Sequence, residues 1–199
     1  MTFLPGAAGS AAFWTPLITQ LPATWRIDAV DLPGLGDVPA HPSVRSYDDL
    51  VEYVAARWLT PAILVSQSMG CYVALQLALR YPDLVSHLVL VAATGGLDMA
   101  QCGALDWRRE YAISFPNAAP WARSNVADLT DVLDSIRIPV QLIWATQDAL
   151  SPLAVALNLA RRIPSSSLVT FETNDHWLVR QFPTEVAVVL RSFIERDGR

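Results

Sequence analysis

Short, largely apolar runs alternate along the chain with longer stretches in which apolar residues return every three or four positions. The runs are Thr2-Phe3-Leu4, Trp25 to Val30, Ala62 to Val65, Leu88 to Ala92, Val140 to Trp144 and Leu168 to Phe171. The continuous ones, Ala62 to Val65 and Leu88 to Ala92, rich in β-branching and lacking polar alternates, suit strands buried on both faces. The intervening stretches place Trp14, Leu17, Ile18 and Leu21, then Leu50, Val51, Val54, Ala55 and Trp58, on helical stripes. Cys71 to Leu79 is apolar except for Gln76, and the helix stops near Tyr81-Pro82. Val186, Val189, Leu190, Phe193 and Ile194 form the last helical face. Ser10 is placed to cap the first helix, Ser46 with Asp49 makes a capping box for the second, and Ser151-Pro152 opens a later one. The pattern predicts an α/β protein, a three-layer αβα sandwich around a mostly parallel sheet of about six strands.

Two glycine-bearing loops punctuate this pattern, Pro5 to Ser10 and Asp31 to Gly36. From Gly95 to about Thr130 the alternation lapses. That stretch carries Trp107, Tyr111, Phe115 and Trp121 and is broken by Pro116 and Pro120. The expectation is one domain over residues 1–199, with a cap-like insertion at about 95–130.

Composition narrows the partners. With 199 residues, 52% hydrophobic and 17% charged, the chain has material for one sizeable core and no sign of disorder. A formal net charge of −5 argues against a nucleic-acid partner, and the pairs Arg108-Arg109 and Arg161-Arg162 read as solvated helix faces. Cys71 and Cys102 are too few for a disulfide framework and have no zinc-ligand spacing. The first positive side chain is Arg26, so the N-terminus does not resemble a signal peptide, and no run approaches the roughly 20 apolar residues of a membrane span. A cytoplasmic protein is expected. Gly6 and Gly9 make an incomplete dinucleotide fingerprint, and Asp31, Asp37 and His41 fall in loops, so neither cofactor nor metal is expected.

The chemistry gathers at predicted strand ends, where open α/β sheets collect functional groups. Ser68 sits in Ser66-Gln67-Ser68-Met69-Gly70, between a strand and a helix. This is the setting of a Gly-x-Ser-x-Gly nucleophile elbow, with Ser66 at the first glycine. Asp148 and His176 each follow a later strand. Serine needs a base within hydrogen-bond reach, and the base needs an orienting carboxylate. Of the three histidines, His41 lies in a Pro-rich loop and His87 at a strand start. Asp98 competes with Asp148 as the acid. Simpler readings exist, with Ser68 as a helix cap and Asp148 as a turn residue.

Taken together, Leu4 to Gly9, Asp31 to Gly36, Ser66 to Gly70, Trp144 to Asp148 and Asp175-His176-Trp177 resemble the α/β-hydrolase superfamily, its esterase and lipase-like branch. The resemblance spans nearly the whole chain. It implies a triad of Ser68, Asp148 and His176, with the backbone N–H groups of Met69 and Ala7 as an oxyanion hole. It also implies hydrolysis of a small, largely apolar carboxylic ester without cofactor or metal. Trp107, Tyr111, Phe115, Trp121 and Trp177 become candidates for the substrate pocket, although the first four also suit plain anchoring of a long loop. The chain departs from relatives in having Pro5-Gly6 where His-Gly is common, and in starting close to the glycine loop without two further strands. Thioester, lactone or C–C bond hydrolysis on the same fold, or a non-catalytic binding protein, stay open alternatives. The trimmed sheet edges leave room for a homodimer.

Overall fold

β4 (Val85–Val91) shows why the apolar runs have no polar alternates. Leu88 and Leu90 point into one core while Val89 and Val91 point into another, and all four are fully buried. The structure, a computed structural model, describes residues 1–57 and 60–197; Trp58 of the second helical stripe lies outside the described residues. β1 (Thr2–Leu4), β2 (Asp28–Ala29), β3 (Ala62–Gln67), β5 (Val140–Ala145) and β6 (Ser166–Phe171) join β4 in one sheet. The order is β2-β1-β3-β4-β5-β6, and every neighbouring pair is parallel.

β2 is shorter than the Trp25 to Val30 run. Its partner β1 offers only three residues, so pairing is confined to Asp28 N–H on the Met1 carbonyl, the bridge residues, and Val30 N–H on the Phe3 carbonyl.

Helices cover both faces. α1 (Thr15–Ile18), α6 (Leu178–Gln181) and α7 (Pro183–Asp197) pack on one side, around Trp14, Leu17, Leu178, Val186 and Leu190. α2 (Tyr47–Ala55), α3 (Met69–Arg80) and α5 (Leu153–Arg162) pack on the other. The sandwich is the three-layer arrangement expected from the alternation. The first helical stretch splits into a 3₁₀ turn, Ala11–Trp14, and α1. Pro16 lacks the N–H that a continuous helix would need there.

Two capping expectations change in detail. Ser46 Oγ accepts from Asp49 N–H at 3.0 Å, but the returning bond comes from Arg45 N–H to Asp49 Oδ2 at 2.8 Å, one residue early. Ser151 does not cap α5. Pro152 holds the cap position, and the Ser151 hydroxyl donates instead to the Ala93 carbonyl at 2.6 Å.

The 95–130 stretch contains a short helix, α4 (Arg108–Ser114), and a 3₁₀ turn, Pro120–Arg123. Arg108, expected on a solvated face, instead knits this stretch together. Its guanidinium reaches the Arg123 carbonyl, Asp106 Oδ1 and Asn125 Oδ1, each at 3.0 Å. Among the described residues no helix is long and apolar enough to cross a membrane.

Candidate active site

The chain leaves β1 in one direction toward β2, and continues from β3 in the other direction toward β4. Such a switch of direction opens a crevice at the carboxyl ends of the two strands. Leu4 pairs with Ser66, so the Pro5 to Ser10 loop and the Ser68 turn emerge side by side.

Ser68 has φ 52° and ψ −124°. With Ala92 it is one of two non-glycine residues of positive φ among the described residues. Holding a serine there costs about 1–3 kcal/mol and requires firm surroundings. These are supplied by its N–H on the Val91 carbonyl (3.0 Å) and by its own carbonyl, which accepts from Cys71 (2.9 Å) and Thr94 (3.2 Å). Gly70 allows the turn to sit against β1, because a Cβ there would lie 2.3 Å from the Pro5 carbonyl oxygen. Ser66 fits at the motif's first glycine because its buried hydroxyl donates to the Val89 carbonyl at 3.1 Å. Beside it, burial pushes the Cys71 thiol up to about 12, so it stays protonated.

β5 and β6 run in register to Ala145 and Phe171, and their following loops stay joined through Thr146 N–H on Phe171 and Gln147 N–H on Thr173. This brings Asp148 and His176 together. His176 Nδ1 lies 2.7 Å from Asp148 Oδ2, and Nε2 lies 3.0 Å from Ser68 Oγ. Both groups are buried, at 6% and 3% exposure. The second oxygen, Asp148 Oδ1, accepts from the amides of Leu150 (2.8 Å) and Ser151 (3.0 Å). An ionised carboxylate only accepts, so Nδ1 carries the imidazole proton and Nε2 is left to accept from Ser68. The arrangement can therefore draw the proton from Ser68 as its oxygen attacks.

The competing residues fall elsewhere. Ser68 makes no side-chain cap bond to α3. Asp98 Oδ1 accepts from Gln101 N–H and closes a turn. His41 Nδ1 faces Ser43, and His87 stacks edge-on against Phe193.

A cavity of about 200 Å³ opens over Ser68 and His176, lined by Ala7, Gln67, Thr94 and Leu150 and by Trp107, Tyr111, Phe115 and Trp177. Trp121 does not line it. Its ring packs edge-on against Tyr47, centroids 5.1 Å apart, and lies over Gly34. Met69 begins α3, and its side chain lines a neighbouring cavity that shares Thr94, Trp107 and Leu150 with the first. Tyr111 does more than line the wall. Its hydroxyl donates to the Ala7 carbonyl (2.8 Å) and accepts from Gly36 N–H (2.7 Å). Burial raises its phenol above the ordinary value, with the Gly36 hydrogen bond pulling the other way, so it remains a neutral donor.

Sequence reasoning missed Thr94 and Gln67. Thr94 Oγ1 lies 3.2 Å from Ser68 Oγ, and Gln67 Nε2 points to the His176 carbonyl at 3.4 Å. The available signals were their places, one just past the end of β4 and one directly before Ser68. Among the described residues no group of three or more His, Cys, Asp or Glu side chains is placed to hold a metal ion.

Residues 3–125 match the alpha/beta hydrolase family, and the chain belongs to that family. Its similarity extends to named esterases. It is 31% identical to a pimeloyl-[acyl-carrier protein] methyl ester esterase of Neisseria meningitidis serogroup B, over 90% of this chain and 86% of that protein. It is 28% identical to the enzyme of the same name from Aromatoleum aromaticum, over 91% and 92% of the two chains. Among solved structures, it superposes on a thermophilic esterase from Thermogutta terrifontis with a TM-score of 0.80, at 21% identity, covering 98% of this chain and 89% of that one. A lipase-esterase related protein from Clostridium acetobutylicum gives a TM-score of 0.76 at 21% identity, over 96% and 93%. At such identities the structural likeness speaks to the fold.

Proposed function

We propose that this α/β-hydrolase cleaves a small, largely apolar carboxylic ester through an acyl-serine. The observation that carries the reading is the unbroken series of contacts from Asp148 Oδ2 through His176 to Ser68 Oγ. Ser68 Oγ attacks the ester carbonyl while His176 Nε2 takes its proton. The tetrahedral adduct collapses, the C–O bond to the alcohol breaks, and His176 returns the proton to the leaving oxygen. Water then gives a proton to His176, adds to the acyl carbon and releases Ser68. Asp148 holds the imidazole tautomer throughout.

Met69 and Ala7 supply the backbone N–H groups for the oxyanion. In support, Ala7 lines the cavity over Ser68, and Met69 opens α3, where helix amides are free of intrahelical partners. Two such donors matter, since losing one costs about a hundred- to a thousand-fold in rate. Residues 95–130 act as the cap of one domain spanning 1–199, and Trp107, Tyr111, Phe115 and Trp177 enclose the acyl or alcohol group. The relatives' names point to a methyl ester, and a cavity of about 200 Å³ suits a short chain. A cytoplasmic setting accords with Cys71 and Cys102 both being free thiols. Pairing of two copies along a sheet edge completes the reading, and light scattering tests it.

The deciding experiment combines a fluorophosphonate probe with p-nitrophenyl and methyl esters of short acids, alongside a thioester. Labelling and ester turnover that disappear in Ser68→Ala are expected. A wild-type protein that neither labels nor hydrolyses any ester overturns the proposal in favour of a binding protein.

A further inference from the structure

Ser68 Oγ has two polar neighbours, His176 Nε2 at 3.0 Å and Thr94 Oγ1 at 3.2 Å. A serine hydroxyl carries one proton and can accept from other donors. Because Asp148 holds the imidazole proton on Nδ1, the Ser68 proton goes to Nε2. The contact with Thr94 is then left with one direction, from the Thr94 hydroxyl to Ser68 Oγ. We propose, resting on the hydrolase reading above, that Thr94 is a further catalytic residue that donates a hydrogen bond to the nucleophile oxygen throughout the reaction.

The surroundings are built for this contact. Thr94 is 2% exposed, and its N–H also bonds the Ser68 carbonyl at 3.2 Å, so main chain and side chain grip the same residue. Ala92, just past β4, adopts φ 44°, and Gly95 and Gly96 follow with φ 80° and 79°. A left-handed alanine is strained, and strain of this kind persists where the surroundings demand it. Here it lies next to the segment that meets both ends of the triad. Ala93 accepts from Ser151 Oγ at 2.6 Å, and Ser151 N–H in turn donates to Asp148 Oδ1. A second route therefore joins Asp148 to Ser68, independent of the imidazole.

The chemistry makes this donor selective for the transition states. As His176 removes the Ser68 proton and the Oγ–carbon bond forms, Oγ carries partial negative charge and the Thr94 bond strengthens. In the acyl-enzyme Oγ is an ester oxygen and a poorer acceptor. When water has added and the carbon–Oγ bond breaks, the electron pair returns to Oγ, which takes the proton back from His176. Charge appears there again beside the same hydroxyl. Thr94 keeps its own proton at every step. An interaction stronger in the transition state than in the ground state raises kcat rather than lowering KM.

The test compares Thr94→Val, which is nearly isosteric, with Thr94→Ser, which restores the hydroxyl, on a short p-nitrophenyl ester. Thr94→Val is expected to lower kcat by about tenfold with KM little changed, and to slow fluorophosphonate labelling in parallel. Thr94→Ser is expected to recover most of the rate. Thr94→Ala also lacks the hydroxyl and must show the same loss if Thr94→Val fails to fold. Wild-type kcat in a variant without the hydroxyl, or an equal loss in Thr94→Ser, overturns the inference. A wild-type protein inert toward both probe and ester overturns the hydrolase reading and this one with it. Normal activity abolished by Ser68→Ala but untouched by Thr94→Val overturns this one alone.

Discussion

His176 Nε2 lies 3.0 Å from Ser68 Oγ although 108 residues separate them in the chain, and the carboxylate of Asp148 fixes which nitrogen can accept. Asp148→Asn tests that dependence without removing any volume. Its Oδ1 would keep the Leu150 and Ser151 amides, leaving the NH₂ group to face Nδ1. The imidazole would then protonate on Nε2 and cease to be a base. Ester turnover is expected to fall by about ten-thousand-fold with the circular dichroism spectrum unchanged.

Tyr111→Phe removes one hydroxyl and two hydrogen bonds, to the Ala7 carbonyl and from the Gly36 amide. The Gly36 bond is buried, so its amide would be left without that partner at a cost of about 1–3 kcal/mol. The expected outcome is a Tm lower by roughly 3–10 °C. The loop holding Ala7 is freed at the same time, so kcat should drop more than the pocket volume alone explains. Calorimetry and steady-state kinetics on the same preparation check both effects.

Trp107 and Trp121 are expected to separate under alanine substitution. Trp107 lines the cavity over Ser68, so its loss should change the preference for acyl chain length. Trp121 packs on Tyr47 away from that cavity, so its loss should lower stability by about 2–3 kcal/mol and leave the chain-length profile intact. A chain-length series of p-nitrophenyl esters and a urea titration measure the two outcomes.

Gly70→Ala is expected to be among the most damaging single-methyl changes in the chain. Its Cβ would meet two main-chain oxygens, of Pro5 at 2.3 Å and Leu4 at 2.7 Å, and neither can rotate away. Either α3 or β1 must shift, which displaces Ser68. Loss of soluble expression, or of probe labelling in whatever folds, is the readout.

Cys71 supplies a pH test. Burial first of all, eased by hydrogen bonds with Ser66 and Val91, raises its thiol from 9.0 to about 12. The folded state then holds the proton where the unfolded state releases it. That contribution is intact below pH 9 and is lost as the pH rises toward 12. Urea midpoints are expected to decline over this window, and to decline less in Cys71→Ala. At neutral pH a thiol reagent should find Cys102 in the native protein and reach Cys71 only on unfolding.

The sheet and the meeting of Ser68, Asp148 and His176 were legible because they rest on local signals. A run such as Leu88 to Ala92 can be satisfied only by burial on both faces, and Ser68, Asp148 and His176 each stand within five residues of a strand's carboxyl end. Side-chain partners chosen across the fold left weaker traces. Ser151 reads as a helix cap until the Ala93 carbonyl comes within 2.6 Å. Arg108 reads as a solvated charge until the chain folds back to bring Arg123 and Asn125 to it. Trp121 and Trp107 look alike in sequence, since an aromatic ring suits a loop core and a pocket wall equally well. Thr94 gave no periodic signal, because its partner is 26 residues earlier on the neighbouring strand end.

The bonds of Arg108 all stay within residues 106–125. That stretch hydrogen-bonds to the loops after β1 and β2 and to the start of α2, through Tyr111, the Ala119 amide on Gly34 and the Ala122 carbonyl on Tyr47, and packs Tyr111 and Ala122 into the main core. A piece tied internally by Arg108 and joined to the strand-end loops through a short set of hydrogen bonds can be redesigned as a unit. A chimera that keeps Arg108, Tyr111 and the Ala119 and Ala122 contacts is therefore the natural starting point for redesigning what this protein accepts.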